Sequence, residues 1–257
     1  MYADAQARLA AAVRAWDLTD LEPVGQGEIA LVRGARRAGR AIVVKVNPRG
    51  HREERQLAAE GTALAHWAAT GAAVALLDRR DDGLTLLLER LGAPLAAAGA
   101  GFEAQLDVLG GLARRLHTAG RPPDGALRIA EYVPEWPGRD AELDALLVPA
   151  PGDVLVHLDL HHYNALRHDG GWRVIDPKGA LGDRHADVWA LLNPGAPVAP
   201  DAATARAWVA RYARAAGLDV ERTVAWTRAR ARGDAAGTVS DPAWSQRLLR
   251  IAALLSS

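Results

Sequence analysis

The chain has 257 residues, 49% hydrophobic and 24% charged, enough for one large domain or two lobes sharing a cleft. Its 31 basic and 31 acidic residues cancel to a formal charge of +0, so no strong field draws it to nucleic acid or to an anionic membrane. It has no cysteine, which excludes disulfides, thiolate catalysis and cysteine-ligated zinc; with no signal peptide and no apolar run near the ~18 residues of a membrane span, the expectation is cytoplasmic.

Residues 3–16 read as a helix with Leu9, Val13 and Trp16 along one stripe. Three short strands are expected next, Leu21–Val24, Ile29–Arg33 and Ala41–Val46, separated by Gly25-Gln26-Gly27 and by a basic turn through Gly34–Gly39. Asn47-Pro48-Arg49-Gly50 breaks the run. Residues 51–69 read as a helix burying Leu57, Leu64 and Trp67, and Ala73–Leu77 with Leu84–Glu89 as a hairpin across Asp81-Asp82-Gly83. The Pro/Gly/Ala stretch from Gly92 to Gly101 marks a boundary, giving a β-rich unit over residues 1–91 and a mainly helical one over 92–257.

In the second unit Leu106, Leu109, Ala113 and Leu116 share a helical stripe that Gly120-Arg121-Pro122-Pro123 ends. Segment 121–139 reads as irregular and 140–147 as a short helix. A strand–loop–hairpin segment over 154–176 then interrupts the helices, which resume at about 184–192, 202–216, 219–231 and 243–255.

That interruption carries the chemistry. Asp159, Asn164 and Asp176 fall on two short strand-like runs, and a hairpin through His168-Asp169-Gly170-Gly171 would bring Asn164 and Asp176 to the same end. One carboxylate and one amide oxygen suit Mg²⁺, while a second carboxylate stays free as a base. Only two of the 31 basic residues are lysines, Lys45 and Lys178. Where lysine survives such a bias toward arginine, the site calls for a compact ammonium. Lys45 interrupts the apolar run Ala-Ile-Val-Val-Lys-Val, where a charge needs a carboxylate or phosphate partner; the other reading is an edge lysine reaching solvent. For its partner Glu60 is preferred, beside Gly61, with Glu53 in reserve; either acid alternatively faces solvent.

Gly25-Gln26-Gly27-Glu28-Ile29-Ala30 fits G-x-G-x-x-G/A, but a strand follows it and no helix, so a dinucleotide-binding turn is excluded. The glycines either cover nucleotide phosphates from above or make a plain hairpin turn. His157, His161 and His162 around Asp159 suggest a zinc hydrolase, but the order of ligands is wrong for the H-x-H-x-D-H pattern; the alternative is that His157 braces the loop by hydrogen bonds, while His161 and His162 either do likewise or face solvent. Asp187 either ties this loop to the following helix or caps that helix electrostatically.

A β-rich lobe, a short hinge and a helical lobe with one embedded β-loop resemble the protein-kinase-like fold, an α+β bilobal architecture. With Leu86–Leu91, His157-x-Asp159-Leu160-His161-His162-x-Asn164, and Ile175-Asp176-Pro177-Lys178-Gly179 followed by Gly182 and Asn193-Pro194, the chain is similar to the aminoglycoside phosphotransferase superfamily, and within it to the streptomycin 6-phosphotransferase and hydroxyurea phosphotransferase family. The resemblance covers roughly residues 20–195. It implies an ATP- and Mg²⁺-dependent kinase that phosphorylates a hydroxyl of a small polar, aminocyclitol-like acceptor, with a role in antibiotic resistance. Asp159 would be the base, and Asn164 and Asp176 would bind Mg²⁺. Gly25 and Gly27 would cover the phosphates, Lys45 and Glu60 would form the phosphate-anchoring pair, and the backbone near Glu89 and Leu91 would receive adenine. A cationic acceptor calls for acids near the cleft, for which Glu131, Glu135 and Asp183 are candidates. Leu158 stands where the family usually has glycine, a position at which a side chain would shift the loop or narrow the acceptor site. A weakly active or inactive nucleotide-binding module is the rival reading.

Overall fold

The computed structural model describes residues 2–24, 29–132, 138–237 and 241–256. Helix α1 (Tyr2–Ala15) leads into five strands, β1 (Leu18–Pro23), β2 (Leu31–Arg37), β3 (Arg40–Val46), β4 (Leu76–Arg80) and β5 (Thr85–Glu89), with α2 (Glu54–Trp67) inserted after β3. The strands form one antiparallel sheet in the order β1-β2-β3-β5-β4.

Strand parity decides what each face does. On β3, Ile42, Val44 and Val46 join Leu87 of β5 in a core closed by Ala5, Leu9 and Ala12 of α1 and by Trp16 just after it. Alternate residues point to the opposite face of a strand. Val43 of β3 and Leu86 and Leu88 of β5 therefore belong to a second core, which takes in Ala63, Leu64 and Trp67 of α2 and continues into the helical lobe. Lys45 pairs in register with Leu86 and has the parity of Val43, so it is delivered to the α2 side.

The helical lobe follows from α3 (Phe102–Leu116) through the short α4 (Ile129–Tyr132) and α5 (Ala141–Leu146). Next come β6 (Val154–Val156), the hairpin β7 (Ala165–His168) and β8 (Gly171–Val174), and β9 (Ala180–Gly182), which pairs with β6. The chain ends with α6 (Trp189–Leu192), α7 (Ala202–Ala216), α8 (Val220–Gly237) and α9 (Pro242–Leu254). Helices α3 and α7 cross closely at Gly110, where a Cβ would lie 2.6 Å from that of Ala215 and 2.8 Å from the carbonyl of Tyr212. The lobes are stitched by backbone: Val74 N–H donates to Val174 O and Val174 N–H to Ala72 O, both at 2.8 Å. Strand β8 is thus held directly to the segment leading into β4.

Several expectations are corrected. The single helix over 184–192 is a 3-10 turn at Arg184–Ala186 and a separate α6, because Asp187 leaves helical geometry (φ −75°, ψ 53°) to bond the loop before it. Leu57 is only half-buried, while Glu60 is buried at 2% exposure, so a charge occupies the inner face of α2. The first strand lies at Leu18–Pro23, earlier than Leu21–Val24, and α8 runs on to Gly237. Among the described residues no helix is long and apolar enough to cross a membrane.

Candidate active site

Lys45, from the middle strand of the sheet, is 8% exposed and meets two carboxylates. Its Nζ lies 2.7 Å from Oε2 of Glu60 and 2.5 Å from Oδ1 of Asp176. Burial by itself would lower the lysine pKa, but the two carboxylates outweigh it and hold the ammonium above its usual range. Glu60 is thereby the partner, and Glu53 instead lies beside Arg52. Asp176, whose side chain is 55% exposed, is held below the ordinary carboxylate range chiefly by Lys45.

Asp159 and Asn164 face each other. The amide nitrogen of Asn164 donates to the backbone oxygen of Asp159 at 3.0 Å and to its Oδ2 at 3.2 Å. The amide nitrogen is thus engaged with Asp159, which leaves the Asn164 oxygen as the group for a cation. Burial, and then the charge of Asp176, push the Asp159 carboxyl up to about 7. Asn164 and Asp176 are drawn to one end by the β7–β8 ladder, in which Ala165 pairs with Val174, and by Ile175 N–H donating to Asn164 O at 2.9 Å. An amide oxygen and a carboxylate oxygen are hard donors that suit Mg²⁺ completed by phosphate oxygens and water.

The loop carrying Asp159 is braced from three sides. Asp187 is fully buried and accepts from the backbone N–H of His157 (3.1 Å) and of Leu158 (2.6 Å), while its Oδ2 lies 2.8 Å from Nε2 of His117. Burial would raise its pKa, but these donors outweigh burial and lower it. His157 stacks on Trp67 at 6.2 Å between centroids, its Nε2 is 3.0 Å from Ile175 O, and its Nδ1 accepts from Asp159 N–H. His161 Nε2 stands 3.6 Å from Oδ1 of Asp159, and burial, with His157 and His162 beside it, pushes His161 down to about 4, so it is neutral. His157 and His161 brace the loop, while the buried His162 packs against Tyr163. Among the described residues no group of three or more His, Cys, Asp or Glu is arranged to hold a metal ion.

Leu158 adopts φ +61°, in the left-handed region that favours glycine, yet its side chain is 2% exposed and packs in the main core. Its side chain is therefore turned into the core and away from solvent. Asp176, at φ +57°, is the second left-handed residue of the site.

Other expected residues are placed as follows. Glu89 ends β5; its carboxylate accepts from Ala75 N–H at 2.7 Å and pairs with Arg173 of β8, with His168 Nε2 at 3.4 Å, so it fastens the sheet to the hairpin. Leu91 is half-buried against the main core, and the next residue, Gly92, donates to Arg167 O. Glu131 caps Arg128 N–H and lies 3.4 Å from Arg55 of α2, across the lobes. Asp183 is engaged in the fold: it accepts from His185, Trp226 and Arg222, and is not offered to a ligand. Gly25, Gly27 and Glu135 lie outside the described residues. Reading the sequence did not single out His117, Arg173 or Tyr132. His117 and Arg173 are isolated polar residues in ordinary helix and strand patterns, Tyr132 lies in a segment that reads as irregular, and the partner of each lies far along the chain, so nothing local announces them.

A β-rich lobe whose strand lysine reaches a helix glutamate and a hairpin aspartate, set over a braced aspartate loop, defines the class: a phosphotransferase on the protein-kinase-like fold. Choline kinase LicA from Streptococcus pneumoniae matches the fold with a TM-score of 0.66 at 12% identity, covering 98% of each chain. The aminoglycoside phosphotransferase APH(4)-Ia, solved with ADP and hygromycin B, matches with a TM-score of 0.54 at 18% identity, over 96% of this chain and 97% of that one. The model of the aminoglycoside/hydroxyurea antibiotic resistance kinases matches residues 140–241. Streptomycin 6-kinase of Streptomyces griseus is 32% identical over 87% of this chain and 80% of its own length. Hydroxyurea phosphotransferase of Kitasatospora aureofaciens is 32% identical over 87% and 70%. The chain belongs to this aminoglycoside/hydroxyurea antibiotic resistance kinase family.

Proposed function

We propose that the protein transfers the γ-phosphoryl group of ATP to a hydroxyl of a small polar acceptor of the aminocyclitol type, in the cytoplasm, as an antibiotic-modifying enzyme. The observation that carries this reading is the convergence of Lys45, Glu60 and Asp176 in one ion-paired cluster at the cleft, with Asp159 and Asn164 hydrogen-bonded to each other on the same loop. We place the division between lobes at residues 1–91 and 92–257, so that adenine would sit against the backbone near Glu89 and Leu91, and Gly25 and Gly27 would lie over the phosphates.

Asp159 accepts the proton of the attacking hydroxyl and orients its oxygen. Lys45, positioned by Glu60, binds the phosphates as an ammonium. Asn164 and Asp176 would hold Mg²⁺, which when bound spreads charge over the phosphate oxygens. Glu131 and Glu135 are the acids we assign to a cationic acceptor. Streptomycin, other aminocyclitols, hydroxyurea and simple sugars, each supplied with ATP and Mg²⁺, test the reading by ADP release and by mass gain of the acceptor. Acceptor-dependent ADP release with at least one aminocyclitol is expected; no nucleotide binding and no turnover with any of them would overturn it.

A further inference from the structure

Of the two lysines in the chain, Lys45 is accounted for by Glu60 and Asp176. Lys178 is not. Its backbone is held on both sides: its N–H donates to His157 O at 3.0 Å, and the Tyr132 hydroxyl donates to its carbonyl at 2.7 Å. The next residue, Gly179, has φ +67°, and a Cβ there would lie 2.7 Å from that of Ala63 on α2. The chain is therefore pinned at this point between α2 and the catalytic loop. Lys178 stands two residues past Asp176 and is bonded to the residue two before Asp159.

The side chain is half-buried, and among the described residues no carboxylate lies within ion-pair distance of it. A partly desolvated ammonium without a counter-ion is unfavourable. Its position nonetheless puts the charge beside the site, since its backbone is bonded to His157 at the start of the Asp159 loop and it follows Asp176 by two residues. A triphosphate entering beside these two carboxylates meets like charge, and Lys45 is already shared between two acids. The position wants an anion, and the anion that passes between Asp176 and Asp159 in the proposed reaction is the transferring phosphoryl group.

We propose that Lys178 is a catalytic residue whose ammonium contacts the oxygens of the γ-phosphoryl group as it moves from nucleotide to acceptor. This rests on the phosphotransfer reading above. In the step, the acceptor oxygen bonds to the γ-phosphorus while the bond from phosphorus to the β–γ bridging oxygen breaks, its electron pair leaving with ADP. The hydroxyl proton passes to Asp159. Lys178 forms no covalent bond and keeps its proton; it offsets charge on the phosphoryl oxygens, for which a compact ammonium with three rotatable donors suits a moving group better than a planar fork.

The test uses the whole protein and the variants Lys178→Ala, Lys178→Met and Lys178→Arg. Two readouts are taken: kcat and KM for the acceptor, and affinities for ADP and for a non-hydrolysable ATP analogue. Lys178→Ala and Lys178→Met are expected to lower kcat on the order of 100-fold, with the acceptor KM changed by less than about threefold. Their preference for the triphosphate analogue over ADP should fall about tenfold. Lys178→Arg should recover part of that preference but little of kcat. The preference is a ratio within one variant, so partial unfolding does not mimic its loss. A kcat within about threefold of wild type, or an unaltered preference, overturns the role. If wild type binds nucleotide but phosphorylates no acceptor, the assignment of the reaction fails while the preference ratio still decides for or against Lys178. If wild type binds no nucleotide, both fall.

Discussion

Nζ of Lys45 lies 2.5 Å from Oδ1 of Asp176, a contact between residues 131 apart in sequence that joins the sheet to the β8 hairpin. With Glu60 at 2.7 Å, one buried cation is shared by two acids. Removing it by Lys45→Met leaves Glu60 at 2% exposure without its cation. Burial, and then the charge of Asp176, already push Glu60 upward against the pull of Lys45, so in the variant Glu60 takes a proton and the fold survives. Nucleotide affinity is expected to fall at least about tenfold with the helical content retained. Titration with ADP and an ATP analogue measures it, and an affinity equal to wild type would remove Lys45 from the phosphate site.

Asp159 is held up at about 7 by burial first and by Asp176 second. The folded value exceeds the unfolded one of about 3.9, so between about pH 4 and pH 7 the folded chain holds a proton that the unfolded chain releases. Stability from this group is present in full below about pH 4 and is lost as pH rises through about 7. Asp159→Asn lacks this penalty and keeps an oxygen for Asn164. At pH 8 the variant should be more stable than wild type by roughly 2 kcal/mol, with the difference vanishing near pH 4. Its turnover should drop by about 10²–10⁴. Thermal melts at both pH values and a kcat measurement check this; equal melting temperatures at pH 8 would contradict the burial of the charge.

Leu158 sets two effects against each other. Its left-handed backbone costs about 1–2 kcal/mol, which glycine would relieve. Its buried side chain contributes more, since emptying a core leucine site costs about 3–5 kcal/mol. Leu158→Gly should therefore destabilise by about 2 kcal/mol and leave the acceptor KM unchanged, because the side chain packs in the core. The bond from its N–H to Asp187 persists, so kcat should hold at temperatures well below the melt. Denaturant unfolding reads the sign, and a gain in stability would show that backbone strain outweighs packing.

Asp183 accepts from His185 Nδ1 at 2.6 Å, from Trp226 Nε1 at 2.7 Å and from Arg222 Nε at 2.6 Å. Burial alone would raise its pKa, yet these donors hold it far below the carboxylate range. A depressed folded pKa contributes stability above the unfolded value of about 3.9, lost as pH falls below it toward the folded value. Asp183→Asn should lower the melting temperature at pH 7, by about 2 kcal/mol in stability, and less so in acid. The acceptor KM should not move; a raised KM with an unchanged melt would return Asp183 to the acceptor site.

The reaction class, and most of the polar side chains that the fold brings together, were legible in the chain itself. A lysine inside a β-branched strand, an Asp and Asn five apart, and an aspartate closing a short hairpin are local patterns, and local patterns report strands, turns and the polar groups they carry. What the chain could not express was which distant group meets which. That Lys45 takes Glu60 and not Glu53, that Asp187 abandons its helix to hold the backbone of His157 and Leu158, and that Asp183 spends its oxygens on Trp226 and Arg222 are outcomes of packing. Leu158 shows the same division: its odd position was visible in the motif, but whether its side chain filled the cleft or the core depended on a backbone turned to φ +61°. Burial, and with it the displaced titration of Asp159, arises only when both lobes exclude water together, and no stretch of sequence contains that by itself.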